Sequence, residues 1–351
     1  MLSYTVNRPD GRAMDLAKAR WDAVAKPLHS LGCLEDVIIR VAGIQRTADV
    51  ALTPRCALIF CADHGVVAQG VSQTEQGVTA LVARAIARGT SNVNLMASVS
   101  DTPVYAVDVG MASDADEPAL IRKKTLYGTR DMSEGPAMTR IDAENAIQAG
   151  IDAVLEMQKK GHKLIALGEM GIGNTTATAA VSCALLGITV DAAVDRGAGL
   201  SDAGLVRKRR AVERALKINK PDARDPVDVL SKVGGLELCA LAGACLGGMS
   251  AGVPVVIDGV IVEAAALAAY RLSPACREYM LASHMGCELP ARLIMDELRL
   301  RPLIYADLAL GEGTGAVALL PLLDMAQRVY AGVHTFDELG MDAYTEKGGA
   351  V

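Results

Sequence analysis

The chain reads as an α/β protein built on a doubly wound parallel sheet, and three observations predict it. Short, continuous apolar runs at residues 57–61, 164–167 and 254–257 have the composition of strands buried on both faces. Stretches with helical spacing separate them. Each run delivers acidic or glycine-bearing residues at its carboxyl end, the edge where open parallel sheets bind ligands. With 351 residues, 51% hydrophobic and 22% charged, the chain can bury one large core with an appendage, or fold as two domains.

The elements follow in chain order. Over residues 15–25, Leu16, Ala19, Trp21 and Val24 form a loosely helical stripe, and Leu28, Leu31, Leu34, Val37, Ile38 and Val41 keep helical spacing, so both stretches are packing helices. The first strand, 57–61, delivers Ala62-Asp63-His64-Gly65-Val66 to the ligand-binding edge; a turn capped by Asp63 with a hydrogen-bonded His64 accounts for this string more readily than a ligand site does. The polar segment from Val71 to Thr79 is too long for a tight turn, and helices follow at about 79–88 and through Asn94. Residues 104–109 form a second strand ending in Asp108-Val109-Gly110. Residues 122–140 are irregular, a lid or a surface excursion, and 141–160 is a helix capped by Thr139 or Asp142 and stopped by Gly161.

After strand 164–167 comes Gly168-Glu169-Met170-Gly171-Ile172-Gly173-Asn174-Thr175-Thr176. Its glycines let the backbone approach a ligand, Asn174 or Thr175 can cap the following helix, 177–186, and the first-turn N–H groups suit a phosphate. Asp195-Arg196-Gly197-Ala198-Gly199-Leu200 is a second glycine loop, followed by a helix containing Arg207 and Lys208. A helical piece at 226–233 ends in Gly234-Gly235-Leu236-Glu237, residues 238–246 are apolar and small, and strand 254–257 ends in Asp258-Gly259. Further on stand Ser283-His284-Met285-Gly286-Cys287-Glu288 and Gly311-Glu312-Gly313-Thr314-Gly315-Ala316. Glu169 and Glu312 each sit in a glycine loop before an apolar helix. Each can cap that helix; together they can share a pocket whose apolar walls raise the proton affinity of one and make it a base near neutral pH.

Several classes are excluded or weakened. The balance of 35 basic and 41 acidic residues, net charge −6, includes no basic tract dense enough to track nucleic acid. No secretory signal and no apolar run of about 20 residues is present, so a soluble, cytoplasmic chain is expected. Eight cysteines without a Cys-x-x-Cys pair read as reduced core thiols, and no metal or cofactor is called for. No Gly-x-Gly-x-x-Gly follows the first strand with an acid about 20 residues on, which argues against a dinucleotide dehydrogenase. A nucleotide-binding scaffold stays open as the non-enzymatic alternative, with the presence of both glutamates against it.

The strings at 62–66, 168–176, Arg196-Gly197-x-Gly199, 234–237, 256–259, Ser283-His284 and 310–316 fall in the order and at about the spacing of the nicotinate-nucleotide:dimethylbenzimidazole phosphoribosyltransferase family, which the chain resembles from about residue 15 to 340. The resemblance implies a Rossmann-like large domain at 30–325, a small helical domain from residues 1–29 plus 326–351, and a dimer with its sites near the interface. It implies transfer of ribose 5-phosphate from nicotinate mononucleotide to a cobamide lower-ligand base. By match to the family, Glu312 accepts the proton of the attacking base and Glu169 takes the ribose hydroxyls or supports the reacting centre. Gly173, Asn174, Thr175, Gly197 and Gly199, with Lys208, Asp258 and Ser283, hold the phosphate and ribose. Ser72, Gln73, Thr74, Gln76, Met170 and Leu310 hold the acceptor.

The chain departs from the family around the acceptor. Gln73-Thr74-Glu75 replaces a small residue, an aromatic and a proline, Gly286 stands for a serine, Pro290-Ala291 for Gly-His, and Ala198 for a threonine. A missing aromatic removes a stacking wall. That points to phenol, p-cresol or a purine as acceptor, in place of dimethylbenzimidazole or beside it. Divergent members act on phenolics as heterodimers of two paralogues, so the partner is either a second copy or a paralogue.

Overall fold

The computed structural model describes residues 2–197 and 199–345. Six parallel strands, β1 (Arg55–Ala62), β2 (Val104–Gly110), β3 (Ile121–Arg122), β4 (Leu164–Met170), β5 (Val255–Ile257) and β6 (Met280–Ala282), form one sheet in the order β3-β2-β1-β4-β5-β6. Every residue of β1 is buried. Cys56, Leu58 and Phe60 enter a core shared with the helices Arg140–Lys159, Asn174–Leu186, Leu236–Ala251 and Val260–Leu272. Ala57, Ile59 and Cys61 enter a second core, shared with Gly11–Ala23, Cys33–Gln45, Gly77–Ala87 and Thr314–Gly332. Two covered faces are why a strand with period-two geometry carries an unbroken apolar sequence. This is the doubly wound α/β class expected, with the strand order of the Rossmann arrangement. β3, two residues long, and β6, three residues, go unread in the sequence; β5 is as short as β6 but is marked by the apolar run that ends in Asp258-Gly259.

Sheet growth reverses between β1 and β4, which pair in register with Phe60 opposite Glu169. Connections leave the sheet in opposite directions on either side of this seam, which opens a crevice at the strands' carboxyl ends. Two helix starts show the local chemistry. Thr139 caps Arg140–Lys159, accepting from Asp142 N at 3.2 Å, while Asp142 Oδ2 accepts from Thr139 N at 3.0 Å. The cap of Asn174–Leu186 corrects the expectation: it is Gly173, at φ +95°, and Asn174 and Thr175 are the first helical residues. Only glycine adopts that backbone without strain, and Asn174 is thereby freed for another partner.

The chain ends meet. The Trp21 and Tyr330 rings lie 5.0 Å apart between centroids, Arg20 Nε donates to Tyr330 O, and Val24 bridges Thr335. The helix Thr314–Gly332 passes position 326 unbroken, and Arg55 anchors it from the start of β1 through two 2.6 Å bonds to Asp324. Met1 and residues 346–351 of the expected small domain, and Ala198, lie outside the described residues. All eight cysteines are free; six are buried, Cys33 is partly exposed, and Cys287 is exposed. Among the described residues no helix is long and apolar enough to cross a membrane.

Candidate active site

Two glycine loops from distant parts of the chain meet at the crevice, backbone against backbone. A Cβ on Gly168 would lie 2.5 Å from both Cα and N of Gly313, and one on Gly311 would lie 2.9 Å from Glu169 Oε1. Gly311, Glu312 and Gly313 all have positive φ, so Glu312 occupies a left-handed position that non-glycine residues seldom take. Asp258, at the tip of β5, fastens this turn: its Oδ2 accepts from Gly313 N at 3.1 Å and its Oδ1 from Ala316 N at 3.0 Å. Behind it, His284 Nδ1 stands 4.0 Å from Asp258 Oδ1.

This arrangement brings Glu169 and Glu312 into one cleft of about 360 Å³. Glu169 is buried, and burial, then the charges of Glu237, Asp258 and Glu312, push its carboxyl up to about 8 against an opposing hydrogen bond from Asn174 Nδ2. Burial also raises Glu312, with the Asn92 side chain and Val93 N–H at the start of a neighbouring helix pulling the other way. Its Oε2 has no partner among the described residues. One carboxyl is therefore protonated at neutral pH, while the other keeps an unpartnered oxygen. Burial raises both carboxyls, and they differ in their partners: Glu169 accepts from Asn174, whereas Glu312 keeps a free oxygen toward the cleft.

Lys208 lies on a small side cavity that shares Thr175, Asp195, Gly197 and Glu288 with the cleft. Its Nζ donates to Thr175 Oγ1 at 2.8 Å and to Asp195 O at 2.9 Å, and burial pushes it down to about 8. Thr178 and Ser182, one helical turn apart, line the same cavity with buried hydroxyls that have no partner among the described residues. An ammonium and several hydroxyl donors around one hollow suit an anion.

Of the expected site residues, the structure brings Glu169, Glu312, Met170, Asn174, Thr175, Gly197, Asp258 and Leu310 to the cleft wall. Gly173 shapes the turn behind it, and Asp258 has both oxygens committed to loop amides. Ser283 is fully buried, its hydroxyl donating to Ile257 O at 2.7 Å, and does not line the cleft. Nor do Ser72, Gln73, Thr74 and Gln76. Gln73 Nε2 donates to Gly199 O, Gln76 Nε2 donates to His64 O at 2.7 Å, and Ser72 Oγ accepts from Thr74 N. Thr178, Ser182, Cys287 and the Asn92 contact were not read from the sequence, because a single chain gives no signal for which distant side chains converge. A larger cavity, about 470 Å³, lies beyond the opposite ends of the strands, among Gln45, Arg46, His162 and Lys163. Among the described residues its lining holds one carboxylate, Asp49, whereas the smaller cleft holds Glu169 and Glu312 together.

The family model described as Phosphoribosyltransferase (DBI_PRT) matches residues 6–341. The nicotinate-nucleotide–dimethylbenzimidazole phosphoribosyltransferase of Chloroflexus aggregans is 43% identical over 350 residues, 99% of either chain. The enzyme of the same name from Thermus thermophilus is 44% identical over 326 residues, 93% of this chain and 97% of that one. The crystal structure of CobT from Thermus thermophilus superposes with a TM-score of 0.89 at 41% identity, covering 95% of this chain and 100% of the other.

Proposed function

This chain belongs to the DBI_PRT family of phosphoribosyltransferases, which are pentosyltransferase enzymes, and on that premise we propose that it transfers the ribose 5-phosphate of nicotinate mononucleotide to an aromatic cobamide lower-ligand base. The observation that carries this reading is the pairing of two glutamate-bearing glycine loops in one cleft beside a lysine-lined cavity. The nucleotide's pyridinium already activates its glycosidic bond, so nicotinate leaves as the C1'–N electron pair returns to its ring, without an acid. The acceptor is what needs help. As one benzimidazole nitrogen bonds to C1', the proton on the other passes to Glu312, whose raised proton affinity suits a base near neutrality. Attack opposite the leaving group turns the β-glycoside into an α-ribotide. Glu169, protonated, faces the ribose, and Lys208 with Thr175 receives the phosphate.

A benzimidazole acceptor fits the apolar wall formed by Met170, Ile172, Leu308 and Leu310. A phenolic acceptor is the second reading, with this chain paired to a paralogue; it is favoured by a cleft lined, among the described residues, by no Phe, Tyr or Trp. A phenol, with a hydroxyl pKa of about 10, needs the same base. Incubating the purified chain with nicotinate mononucleotide and dimethylbenzimidazole, phenol, p-cresol or adenine, then separating products by mass, is expected to give the dimethylbenzimidazole ribotide as the main product. Conversion of phenol alone would select the second reading, and no ribotide from any acceptor would remove both.

Nucleotide affinity is expected to fall steeply above pH 8. Below that pH the site holds a charged Lys208 and a neutral Glu169; above it, a neutral Lys208 and a charged Glu169. Both changes oppose a phosphate dianion, so the logarithm of the affinity, titrated by calorimetry from about pH 6.5 to 9.5, should drop with a slope steeper than about −1. A flat profile across that range would show that neither group faces the phosphate.

A further inference from the structure

Two strings from the sequence, Ala62-Asp63-His64-Gly65-Val66 and Gly234-Gly235-Leu236-Glu237, contribute nothing to the cleft wall, yet they meet directly behind it. His64 Nε2 and Glu237 Oε1 lie 2.7 Å apart with side chains 1% and 0% exposed, and Glu237 Oε2 has no partner among the described residues. The surroundings are cut to fit this pair. A Cβ on Gly235 would lie 2.3 Å from His64 Cε1, one on Gly173 would lie 3.1 Å from His64 Cβ, and one on Gly171 would lie 3.5 Å from His64 Nε2. The imidazole thus occupies a socket walled by two glycines of the 168–176 loop and one of the 234–237 string. Removing such a pair from water adds little net stability, so stability alone is a weak reason to keep it here.

We propose that His64 and Glu237 are positioning residues for the transfer: the pair forms a fixed floor under the 171–173 turn and holds the entry to Asn174 and Thr175 where the nucleotide's ribose and phosphate need it. Glu237 stands in the first turn of Leu236–Ala251, a long helix buried almost throughout, so the floor is tied to the core and not to the surface. On the other side, His64 O accepts from Gln76, and Ile172 N donates to Thr79 Oγ1, which closes the turn from above. Neither member of the pair lines the cleft, so the positioning effect passes through the loop, apart from the Glu237 charge that Glu169 feels and that both Glu237→Leu and Glu237→Gln remove.

This inference rests on the transferase reading, and its test keeps the two apart. Nucleotide Kd by calorimetry and KM for nucleotide and dimethylbenzimidazole would be measured for wild type, Glu237→Leu, Glu237→Gln and His64→Gln. Leucine leaves a buried imidazole unpaired and is expected to weaken nucleotide binding about 30-fold with the acceptor KM within about twofold, while glutamine, which keeps an acceptor oxygen, should recover most of the loss. Wild-type nucleotide affinity in Glu237→Leu, or equal losses for both substrates, would overturn the proposal. If the leucine variant does not fold, His64→Gln decides: about tenfold weaker nucleotide binding with an unchanged acceptor KM supports the floor, and wild-type values overturn it. A wild-type chain that binds nucleotide without turnover removes the transferase reading alone; one that does neither removes both.

Discussion

Glu312→Gln is expected to lower kcat by about 10²- to 10⁴-fold while leaving the nucleotide Kd within about threefold. The substitution keeps the size and polarity of the side chain and removes only its capacity to take a proton. The acceptor then has to release its proton to water or carry a positive charge into the product, and the barrier rises by the contribution of the missing base. Binding is spared because Lys208 and Thr175 line the side cavity, which Glu312 does not, and Glu312 lies in a turn held by Asp258 amide contacts that the change does not touch. Single-turnover rates, with calorimetry for the nucleotide, check both halves. A variant within threefold of the wild-type rate would transfer the base role elsewhere in the cleft.

Gly168→Ala is expected to lower kcat/KM by about 100-fold, since a shift of about 1 Å at reacting groups costs that much. The added methyl would fall 2.5 Å from the Gly313 backbone, and backbone has no rotamer with which to yield, so the two loops must separate and carry Glu169 and Glu312 apart. Overpacking of this kind also costs about 1–3 kcal/mol of stability. Gly135→Ala is the matched control. Nothing lies within 4 Å of its Cβ position, and a change within about 0.5 kcal/mol, with unaltered kinetics, is expected there. Thermal melts and steady-state rates on the two variants separate a local clash from a general intolerance of alanine.

The sheet was legible where physics leaves a local trace. β1 and β4 are long enough, and buried enough on both faces, to spell out their state in unbroken apolar runs, β5 shows a shorter one, and the glycine loops mark the places where backbone touches backbone. Glu169 and Glu312 stand out as a pair: either alone reads equally well as a helix cap, and two acids in matching glycine loops point to a shared pocket. The departures arise where partners are distant. Ser72, Gln73 and Gln76, expected at the acceptor, stand outside the cleft lining and hydrogen-bond with Thr74, Gly199 and His64. Ser283 has a hydroxyl of the right kind, yet Ile257 O claims it. Neither outcome is encoded in spacing, because it depends on which backbone atoms the folded sheet brings alongside. The His64–Glu237 contact is the same case reversed: each residue stood in a notable string, and only the fold joins the strings.

The seam between β1 and β4 has a consequence for how the protein comes into being. Its two sides are laid down far apart in the chain, and the second glutamate is translated long after the first. Parallel pairing across so long a loop is slow to form, since the entropy of closure is lost before any contact rewards it. On the ribosome the nascent chain can therefore build helices and the first three strands well before any catalytic centre exists. The cleft is complete only when the loop bearing Glu312 closes onto Gly168, and a polypeptide interrupted earlier carries half of it.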